Sequence, residues 1–329
     1  MRPLLAAGAA VLALAAVVTT APALVGGSTT TVLAHAVALR GAGVLLLLLL
    51  AGAAAVLALR RRGRDGRGAA VAGGLAAVLL GCAAVHVGVL AARGVESRPP
   101  GAGADLVVVS LNTEVDGVSP PQLAALVQDA GADVVALPET SGELAAAMAA
   151  AAQERTGSGF QVFSEATGER PEEETSLLVS ARLGEHERAP APELDLSAVA
   201  ARPVDGGGPV LVAVHPPPPV PGSFPVERWA QQAATAAAAC SAAPGAVVAG
   251  DFNTTLDHAP LRDLDPCVDA AERTGAAGLG TWPASVPALL GSPIDHVLVD
   301  VRAWEPLSTQ VLRVGDTDHR AVVVGLAAR

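Results

Sequence analysis

The sequence predicts an α/β layered sandwich with a mixed sheet, preceded by about three transmembrane helices. After residue 105, short runs rich in valine alternate with helical and loop segments, which is typical of buried strands in an α/β domain. Residues 1–93, in contrast, are almost purely apolar apart from one basic cluster. Asp65 is the only acid among them, so 31 of the 32 acids lie further on. The chain therefore divides into a membrane part and a soluble domain.

Three apolar stretches are each long enough to cross about 30 Å of hydrocarbon, which takes roughly 20 residues. They lie at about 4–24, 41–59 and 68–92. The loop between the last two is rich in arginine (60–67), and positive charge concentrates on the cytoplasmic side. We therefore expect a multi-pass protein of the cell membrane with a cytoplasmic N-terminus and an extracytoplasmic C-terminal domain. A cleaved signal peptide in place of the first span remains an alternative that does not change this side.

Residues 94–104 are rich in proline and glycine, which predicts a linker between a membrane anchor at 1–93 and a globular domain at 105–327. From residue 94 onward the chain has 13 arginines, no lysine and 31 acids, a net charge of −18. A domain this acidic has no general attraction for a phosphate backbone. Cys240 and Cys267 form a disulfide if the domain is exported. The alternative is that Cys240 is simply a core residue on an apolar helical face.

The soluble domain contains seven clear strands and three clear helices by pattern. The strands are predicted at 106–110, 133–137, 176–180, 210–214, 246–249, 294–299 and 321–326, and the helices at 122–130, 142–155 and 226–243. Polar residues stand at the ends of six of these strands. Four strands run into polar residues and two begin with them, and the residues are Asn112, Glu139, His215, Asp251 with Asn253, Asp295, and Asp318 with His319. If the last two strands run antiparallel to the first four, all six groups meet at one edge, which predicts a mixed sheet with a catalytic site there.

Five short motifs resemble those of the endonuclease/exonuclease/phosphatase superfamily. The segment VAGDFN at 248–253 resembles its GDFN motif. The others are DTDHR at 316–320 (the closing SDH motif), IDHV at 294–297 (the IDH motif), SLN at 110–112 (the opening strand) and LPE at 137–139 (the metal-binding strand). They follow the family's order across 105–327, and on them the chain is identified as a membrane-anchored bacterial member. The resemblance implies a four-layer α/β sandwich, in which helices flank two mixed β-sheets.

The resemblance also implies a metal site. Glu139 resembles the carboxylate that binds magnesium, with manganese as a substitute, and Asn112 lies beside it. Glu114 and Asp318 are implied as further metal contacts. Oxygen ligands of this kind suit a hard divalent cation, which holds the substrate phosphate.

The remaining implied residues carry out the chemistry. Asp251 would orient and deprotonate the attacking water, and Asn253 would hold the phosphate or that aspartate. His319 would face the phosphoryl oxygens and stabilise charge as it builds. Asp295 would fix the tautomer of His319 and raise its pKa. His215 would donate a hydrogen bond to the phosphate or protonate the leaving oxygen.

The predicted function is a membrane-anchored, divalent-metal-dependent phosphoester hydrolase acting outside the cytoplasm, as a phosphodiesterase, nuclease or phosphatase. Its expected partners are the membrane and a phosphoester substrate (a nucleic acid, a lipid head group or a small phosphoester), and no protein partner is expected. The sequence departs from the family pattern at Leu111 and Pro138 and in having no tyrosine. These departures weaken the case for DNA cleavage more than the case for phosphoester hydrolysis. The alternative is a non-catalytic, membrane-tethered binding protein that reuses the fold.

Overall fold

The structure is a computed structural model that describes residues 2–21, 30–115, 117–220 and 222–329. The chain forms two compact units, Met1–Ala92 and Arg93–Arg329. The described part of the first unit is helical, and the second unit is an α/β domain. Residues 94–104, the predicted linker, contain no helix or strand.

The described residues of the first unit form four helices: α1 (Arg2–Thr20), α2 (Thr31–Ala38), α3 (Arg40–Arg61) and α4 (Gly66–Arg93). Among the described residues, α3 and α4 are long and apolar enough to cross a membrane, with mean hydropathies of 2.7 and 2.3. A further apolar helix among the described residues, Ala6–Thr20 within α1, is shorter than these two. The prediction of three spans is therefore corrected to two clear candidates. The last part of the first predicted span, from residue 22, lies outside the described residues.

A buried polar network joins three helices of the first unit. The guanidinium of Arg40 donates a hydrogen bond to His86 Nδ1 at 2.9 Å, and the Thr20 hydroxyl lies 3.1 Å from His86 Nε2. Thr20 in turn donates to the carbonyl of Ala16 at 2.7 Å. Ionisable groups between apolar helices persist only where they are paired. His86 therefore has a structural role between these helices.

Twelve strands of the second unit form two six-stranded mixed sheets. The first has the order β11-β12-β1-β2-β4-β3 and the second β5-β6-β7-β8-β10-β9. Their bounds are β1 (Leu106–Ser110), β2 (Val134–Pro138), β3 (Phe160–Ala166), β4 (Glu174–Ser180), β5 (His186–Ala189), β6 (Ser197–Pro203), β7 (Leu211–His215), β8 (Val247–Asp251), β9 (Cys267–Asp269), β10 (Asp295–Asp300), β11 (Trp304–Arg313) and β12 (Arg320–Ala328). Among the strands that the structure describes, only β1 with β2 and β7 with β8 are parallel pairs. The prediction of mixed sheets is confirmed.

The alternation of side chains along each strand explains the layers. On β1, Val107 and Val109 pack in one apolar cluster with α5 (Pro120–Ala130) and α6 (Gly142–Thr156), while Val108 packs in a second cluster with strands of the other sheet. Successive side chains of a strand point to opposite faces, so one valine-rich strand serves both layers. On the far side, the second sheet packs against α7 (Val226–Ala238). A fourth helix, α8 (Ala270–Thr274), follows β9.

All seven predicted strands are present, with bounds shifted by up to two residues, but β3, β5, β6, β9 and β11 were not predicted. Four of them, β3, β5, β9 and β11, are the edge strands of the two sheets, where a strand need not be apolar on both faces. β6 and β11 carry a proline, which weakens a strand pattern. The helix predicted at 226–243 ends earlier, at Ala238. α5 begins at Pro120, since proline fits the first helical turn and Ser119 with Gln122 forms a capping box.

Cys240 and Cys267 are joined by a disulfide, and both are buried. The bond ties the turn after α7 to β9 across a sequence separation of 27 residues. The predicted disulfide is therefore confirmed, and Cys240 is not simply a core residue, although it is buried.

We expect the Cys240→Ser/Cys267→Ser double variant to unfold with a free energy lower by about 2–4 kcal/mol, because the cross-link no longer restricts the unfolded chain. All three tryptophans, Trp229, Trp282 and Trp304, belong to the second unit, so urea unfolding followed by tryptophan fluorescence reports on that unit. The control is Cys82→Ser, which alters a free cysteine of the first unit. An unchanged urea midpoint in the double variant would contradict the expected role of the bond.

Candidate active site

Six strand ends meet at one edge of the two sheets. β1 and β2 are parallel in the first sheet, as are β7 and β8 in the second, and each pair ends at this edge. β12 runs antiparallel to β1, and β10 runs antiparallel to β8 with Asp295 directly opposite Asp251. The last two predicted strands thus begin where the first four end. This is the arrangement predicted from the sequence, in which antiparallel pairing of the last two strands brings all six polar groups to one edge.

Asn112 connects the two sheets at this edge. Its Nδ2 donates hydrogen bonds to Glu139 Oε1 at 3.0 Å and to Asp251 Oδ2 at 3.1 Å. The Asn112 side chain is buried, and its Oδ1 accepts from the backbone N–H of Glu114 at 2.9 Å. One amide therefore holds two carboxylates with their oxygens directed to a common space.

His319 and Asp295 form a buried pair beside Asp251. His319 Nδ1 lies 2.9 Å from Asp295 Oδ2, and His319 Nε2 lies 3.7 Å from Asp251 Oδ2. Burial alone lowers the pKa of a histidine, but the carboxylates of Asp295 and Asp251 outweigh it and raise the pKa of His319 to about 10. His319 therefore carries a positive charge at neutral pH in this arrangement.

His215 is the second histidine of the pocket and, unlike His319, is neutral at neutral pH. Its Nε2 lies 3.7 Å from Glu139 Oε1 and 3.8 Å from Asp251 Oδ2. Burial and the neighbouring charge of His319 lower the pKa of His215 to about 3. Its Nδ1 has no hydrogen-bond partner among the described residues. A neutral imidazole here donates or accepts hydrogen bonds but does not carry charge.

Two carboxyl groups of the pocket, those of Asp251 and Glu139, have pKa values shifted towards the protonated form. Burial and the nearby Asp295 raise the pKa of Asp251 to about 7. Burial also raises the pKa of Glu139, against the hydrogen bond from Asn112, which lowers it. Buried carboxylates in close contact repel one another, and a positive charge between them relieves that repulsion. The pocket is therefore electrostatically suited to a cation.

The donor set fits a hard divalent cation. Carboxylate oxygens of Glu139 and Asp251 converge on one Asn112 amide. Asp251, Asp295 and His319 also lie together, with candidate ligand atoms all within 4.8 Å of one another. Because a protonated His319 has no lone pair to offer, the two carboxylates are the cation ligands of this group. Asp295 Oδ1 is buried without a hydrogen-bond partner among the described residues, so it has a free acceptor site. Oxygen donors of this kind are the ligands that Mg²⁺ and Mn²⁺ prefer.

Asn253, Asp318 and Glu114 lie around this centre and make different contacts. The backbone N–H of Asn253 donates to Asp251 Oδ1 at 2.8 Å, but its side-chain amide donates to the carbonyl of Pro216 at 3.0 Å. Asp318 Oδ1 lies 3.7 Å from His319 Nε2. The exposed Glu114 accepts a hydrogen bond from the backbone N–H of Asp318 at 2.8 Å. Glu114 and Asp318 thus form the rim of the pocket.

Backbone strain is concentrated at the same residues. Glu114, Glu139 and Asn253 have positive φ angles of 50°, 54° and 48°. Non-glycine residues rarely adopt this region, and they do so mostly where function requires it. Gly250 has a φ of 154°, and a Cβ there would collide with the carbonyl of Val214 on β7. Only glycine lets β7 and β8 approach closely enough to bring His215 and Asp251 together.

Three supporting residues were not identified from the sequence. Thr317 donates from its hydroxyl to the Asn112 carbonyl at 2.8 Å and accepts from the His319 N–H at 3.2 Å. The Thr281 hydroxyl accepts from the N–H of Asp295 at 3.2 Å. Trp229 Nε1 donates to the Asn253 carbonyl at 2.8 Å. Thr317 lies inside a recognised motif and was open to detection, whereas Thr281 and Trp229 carry no local signal.

Trp282 lies at the rim, and Arg320 holds its loop. Trp282 Nε1 donates to Asp318 Oδ2 at 2.7 Å, and the indole is 38% exposed. The buried Arg320 guanidinium donates to the carbonyls of Gly280, Pro283, Ala284 and Val286. Trp282 therefore orients Asp318, a predicted metal contact.

Comparisons with known proteins agree with this geometry. The model of the Endonuclease/Exonuclease/phosphatase family matches residues 109–319, more than half of the chain. Humanized D. rerio TDP2 superposes with a TM-score of 0.51 at 18% identity, covering 67% of this chain and 98% of its own. The endonuclease/exonuclease/phosphatase from Beutenbergia cavernae gives 0.51 at 21% identity, covering 68% and 72%. The human Nocturnin catalytic domain with bound sulfate gives 0.50 at 12% identity, covering 70% and 100%.

Because these solved structures share only 12–21% sequence identity with this chain, they are evidence for its fold alone. A comparison with curated protein sequences gives no match. The family match spans every recognised motif from the opening strand to His319. The two mixed sheets of this chain, flanked by helices, are consistent with that fold. The chain belongs to the endonuclease/exonuclease/phosphatase family.

Proposed function

We propose that the second unit is a divalent-metal-dependent hydrolase of phosphoester bonds. The observation that carries this proposal is the junction at Asn112, where one buried amide holds Glu139 and Asp251 beside the His319–Asp295 pair. Members of the family are typically metal-dependent phosphoester hydrolases. A domain that kept the fold only for binding would have no need to keep these costly buried charges together.

In the proposed mechanism, Glu139 and Asn112 hold the cation, with Asp318 and Glu114 contributing from the rim. The cation, when bound, neutralises the substrate phosphate and holds it in position. Asp251 orients the attacking water and takes its proton. Its raised pKa, about 7, suits a general base at neutral pH. The backbone N–H of Asn253 keeps the Asp251 carboxylate in place.

The two histidines, His319 and His215, have different roles in the proposed mechanism. His319, held by Asp295, stays protonated and stabilises negative charge on the phosphoryl oxygens as the water attacks. His215 stays neutral, with a pKa of about 3, which favours a hydrogen bond to the phosphate over proton donation to the leaving oxygen. The structure thus supports one of the two roles expected for His215.

The charge of the second unit favours small substrates. Because the chain from residue 94 carries 31 acids against 13 arginines, long nucleic acids are repelled away from the metal centre. We propose a lipid head group or a small phosphoester as the substrate, ahead of duplex DNA. Salt dependence separates these classes, since cleavage of a long nucleic acid falls steeply with added salt when many phosphates are contacted.

We further propose that α3 and α4 anchor the chain in the cell membrane with the second unit on the extracytoplasmic side. The arginine-rich loop at 60–67 joins these helices and favours the cytoplasmic side, so α4 runs outward. The Cys240–Cys267 disulfide supports the same side, because disulfides persist in oxidising compartments.

We expect the full-length chain in detergent micelles to hydrolyse a phosphoester only when a divalent cation is present, because Glu139 and Asp251 need a positive charge between them. The test is a panel of a phospholipid, an inositol phosphate, a nucleotide and DNA, with Mg²⁺, with Mn²⁺ and with EDTA. Hydrolysis that EDTA abolishes and Mg²⁺ restores supports the proposal. Binding of Mg²⁺ by calorimetry without turnover of any substrate would favour the non-catalytic alternative.

A further inference from the structure

The segment Arg93–Arg98, here called the lead-in segment, is attached to the second unit by several contacts. The N–H of Gly278 donates to the Gly94 carbonyl at 2.8 Å, and the N–H of Glu96 donates to the Gly275 carbonyl at 2.9 Å. Gly94 has a φ of 72°, and a Cβ there would collide with the Gly275 carbonyl. Further on, the N–H of Arg98 donates to the Thr309 carbonyl at 2.8 Å. The segment therefore follows a fixed path over the domain, although its composition predicts a linker.

Arg93, the first residue of the lead-in segment, forms a largely buried ion pair with Asp257. Arg93 Nη1 pairs with Asp257 Oδ2 at 2.8 Å, and the two side chains are only 12% and 9% exposed. Removing either side chain takes away a charge partner of the other in a largely buried environment, which is costly. Asp257 is four residues beyond Asn253, in the stretch Asp251–His258, here called the catalytic loop.

The catalytic loop is held at several points along its length. His296 Nε2 donates to the Thr254 carbonyl at 2.8 Å. The Trp229 ring packs edge-on against His258, with 4.8 Å between centroids, and Trp229 also donates to the Asn253 carbonyl. These contacts hold the inner part of the loop. The side chain of Asp257, at its outer end, is held by Arg93.

We propose that Arg93 is a positioning residue for the phosphoester hydrolysis proposed above. By pairing with Asp257 it fixes the outer end of the catalytic loop, and through the loop it fixes Asn253 and Asp251. Asn253 has a φ of 48°, in the left-handed region that asparagine adopts more readily than most residues, and contacts along the loop help to hold it there. The lead-in segment is then part of the catalytic machinery and not a passive tether. The inference rests on the proposed function, but its structural part does not.

The test compares Arg93→Ala and Arg93→Lys in the full-length chain in detergent. The control is Arg202→Ala, which removes an exposed arginine–glutamate pair, 55% and 50% exposed, on β6. With a chromogenic phosphodiester and Mg²⁺, we expect kcat of Arg93→Ala to fall by about ten- to a hundredfold with little change in KM, since a small displacement of catalytic groups costs on this scale. Arg93→Lys keeps the charge and should be intermediate, and Arg202→Ala should match the wild type.

Hydrogen exchange measured on the peptide covering the catalytic loop provides a readout independent of activity. We expect faster exchange in the catalytic loop of Arg93→Ala, and unchanged exchange in β1 and β8. The Asp257→Asn variant should resemble Arg93→Ala, and combining the two should add little, because the two side chains act as one pair.

Wild-type kcat together with wild-type loop exchange in Arg93→Ala would overturn the inference. Faster exchange throughout the second unit would also overturn it, because that result assigns Arg93 to overall stability. If the wild-type chain hydrolyses no phosphoester, the proposed function fails, and the exchange data alone decide whether Arg93 fixes the loop.

Discussion

Replacing Glu139 with glutamine is expected to lower kcat/KM by about a thousandfold or more, the scale of several kcal/mol that a bound cation supplies to such a reaction. Glutamine keeps the size of the side chain and an oxygen for the hydrogen bond from Asn112, but it removes the negative charge. The cation then loses its principal predicted ligand. Calorimetry should show a matching loss of Mg²⁺ affinity, and a higher Mg²⁺ concentration should restore part of the activity.

The matched control is Glu114→Gln. Glu114 is also a predicted metal contact, but it is exposed and its carboxylate accepts a hydrogen bond from the Asp318 N–H. We expect its loss to cost about tenfold or less, the scale of one hydrogen bond to a charged group. Equal effects of the two substitutions would show that the cation does not lie at the Asn112–Glu139 side of the pocket.

The second large effect is expected for His319→Gln, with kcat lower by about a hundred- to a thousandfold, as when one oxyanion donor is removed. Glutamine keeps a hydrogen-bonding side chain but not the positive charge that Asp295 and Asp251 maintain on His319. Mg²⁺ affinity should stay close to that of the wild type, which separates this variant from Glu139→Gln. His186→Gln, in β5 and outside the pocket, serves as the control and should keep wild-type kcat.

The Asp295→Asn variant tests whether Asp295 keeps His319 protonated and correctly oriented. We expect this variant to lose activity to a smaller degree, and the double variant with His319→Gln to be no slower than His319→Gln alone, because Asp295 acts through His319. A full additional loss in the double variant would mean that Asp295 has its own contact with the reacting groups. Its buried, unpartnered Oδ1 makes that outcome a specific alternative.

The pattern of short valine-rich runs was sufficient to find the central strands but not the outer ones. β1, β2, β7 and β8 are buried on both faces, so their sequences are continuously apolar. β3 is at most half-buried at a sheet edge, and its sequence, FQVFSEA, does not differ enough from a loop. Edge strands depend on pairing with a neighbour that is distant in sequence, and a local window does not contain that neighbour.

The meeting of the candidate site residues at one sheet edge could be predicted, although the outer strands could not, because these residues follow strands that are easy to recognise. Each side chain of the pocket stands directly at a strand end, where the chain emerges at the edge of a sheet. Thr281 and Trp229 could not be found in this way. They act through one hydrogen bond each to a backbone group of a site residue, and many buried threonines and tryptophans make such bonds without any function.

By itself the sequence determined the division into an apolar part and an acidic domain, the central strands, and the polar residues at their ends. These are local properties, set by the period of the side chains and by the composition of a segment. Only the tertiary structure decided that His319 is charged and His215 neutral, because a pKa depends on burial and on charges brought from other strands. It also decided the pairing of Arg93 with Asp257, since contacts between residues 164 positions apart arise only when both sheets are assembled.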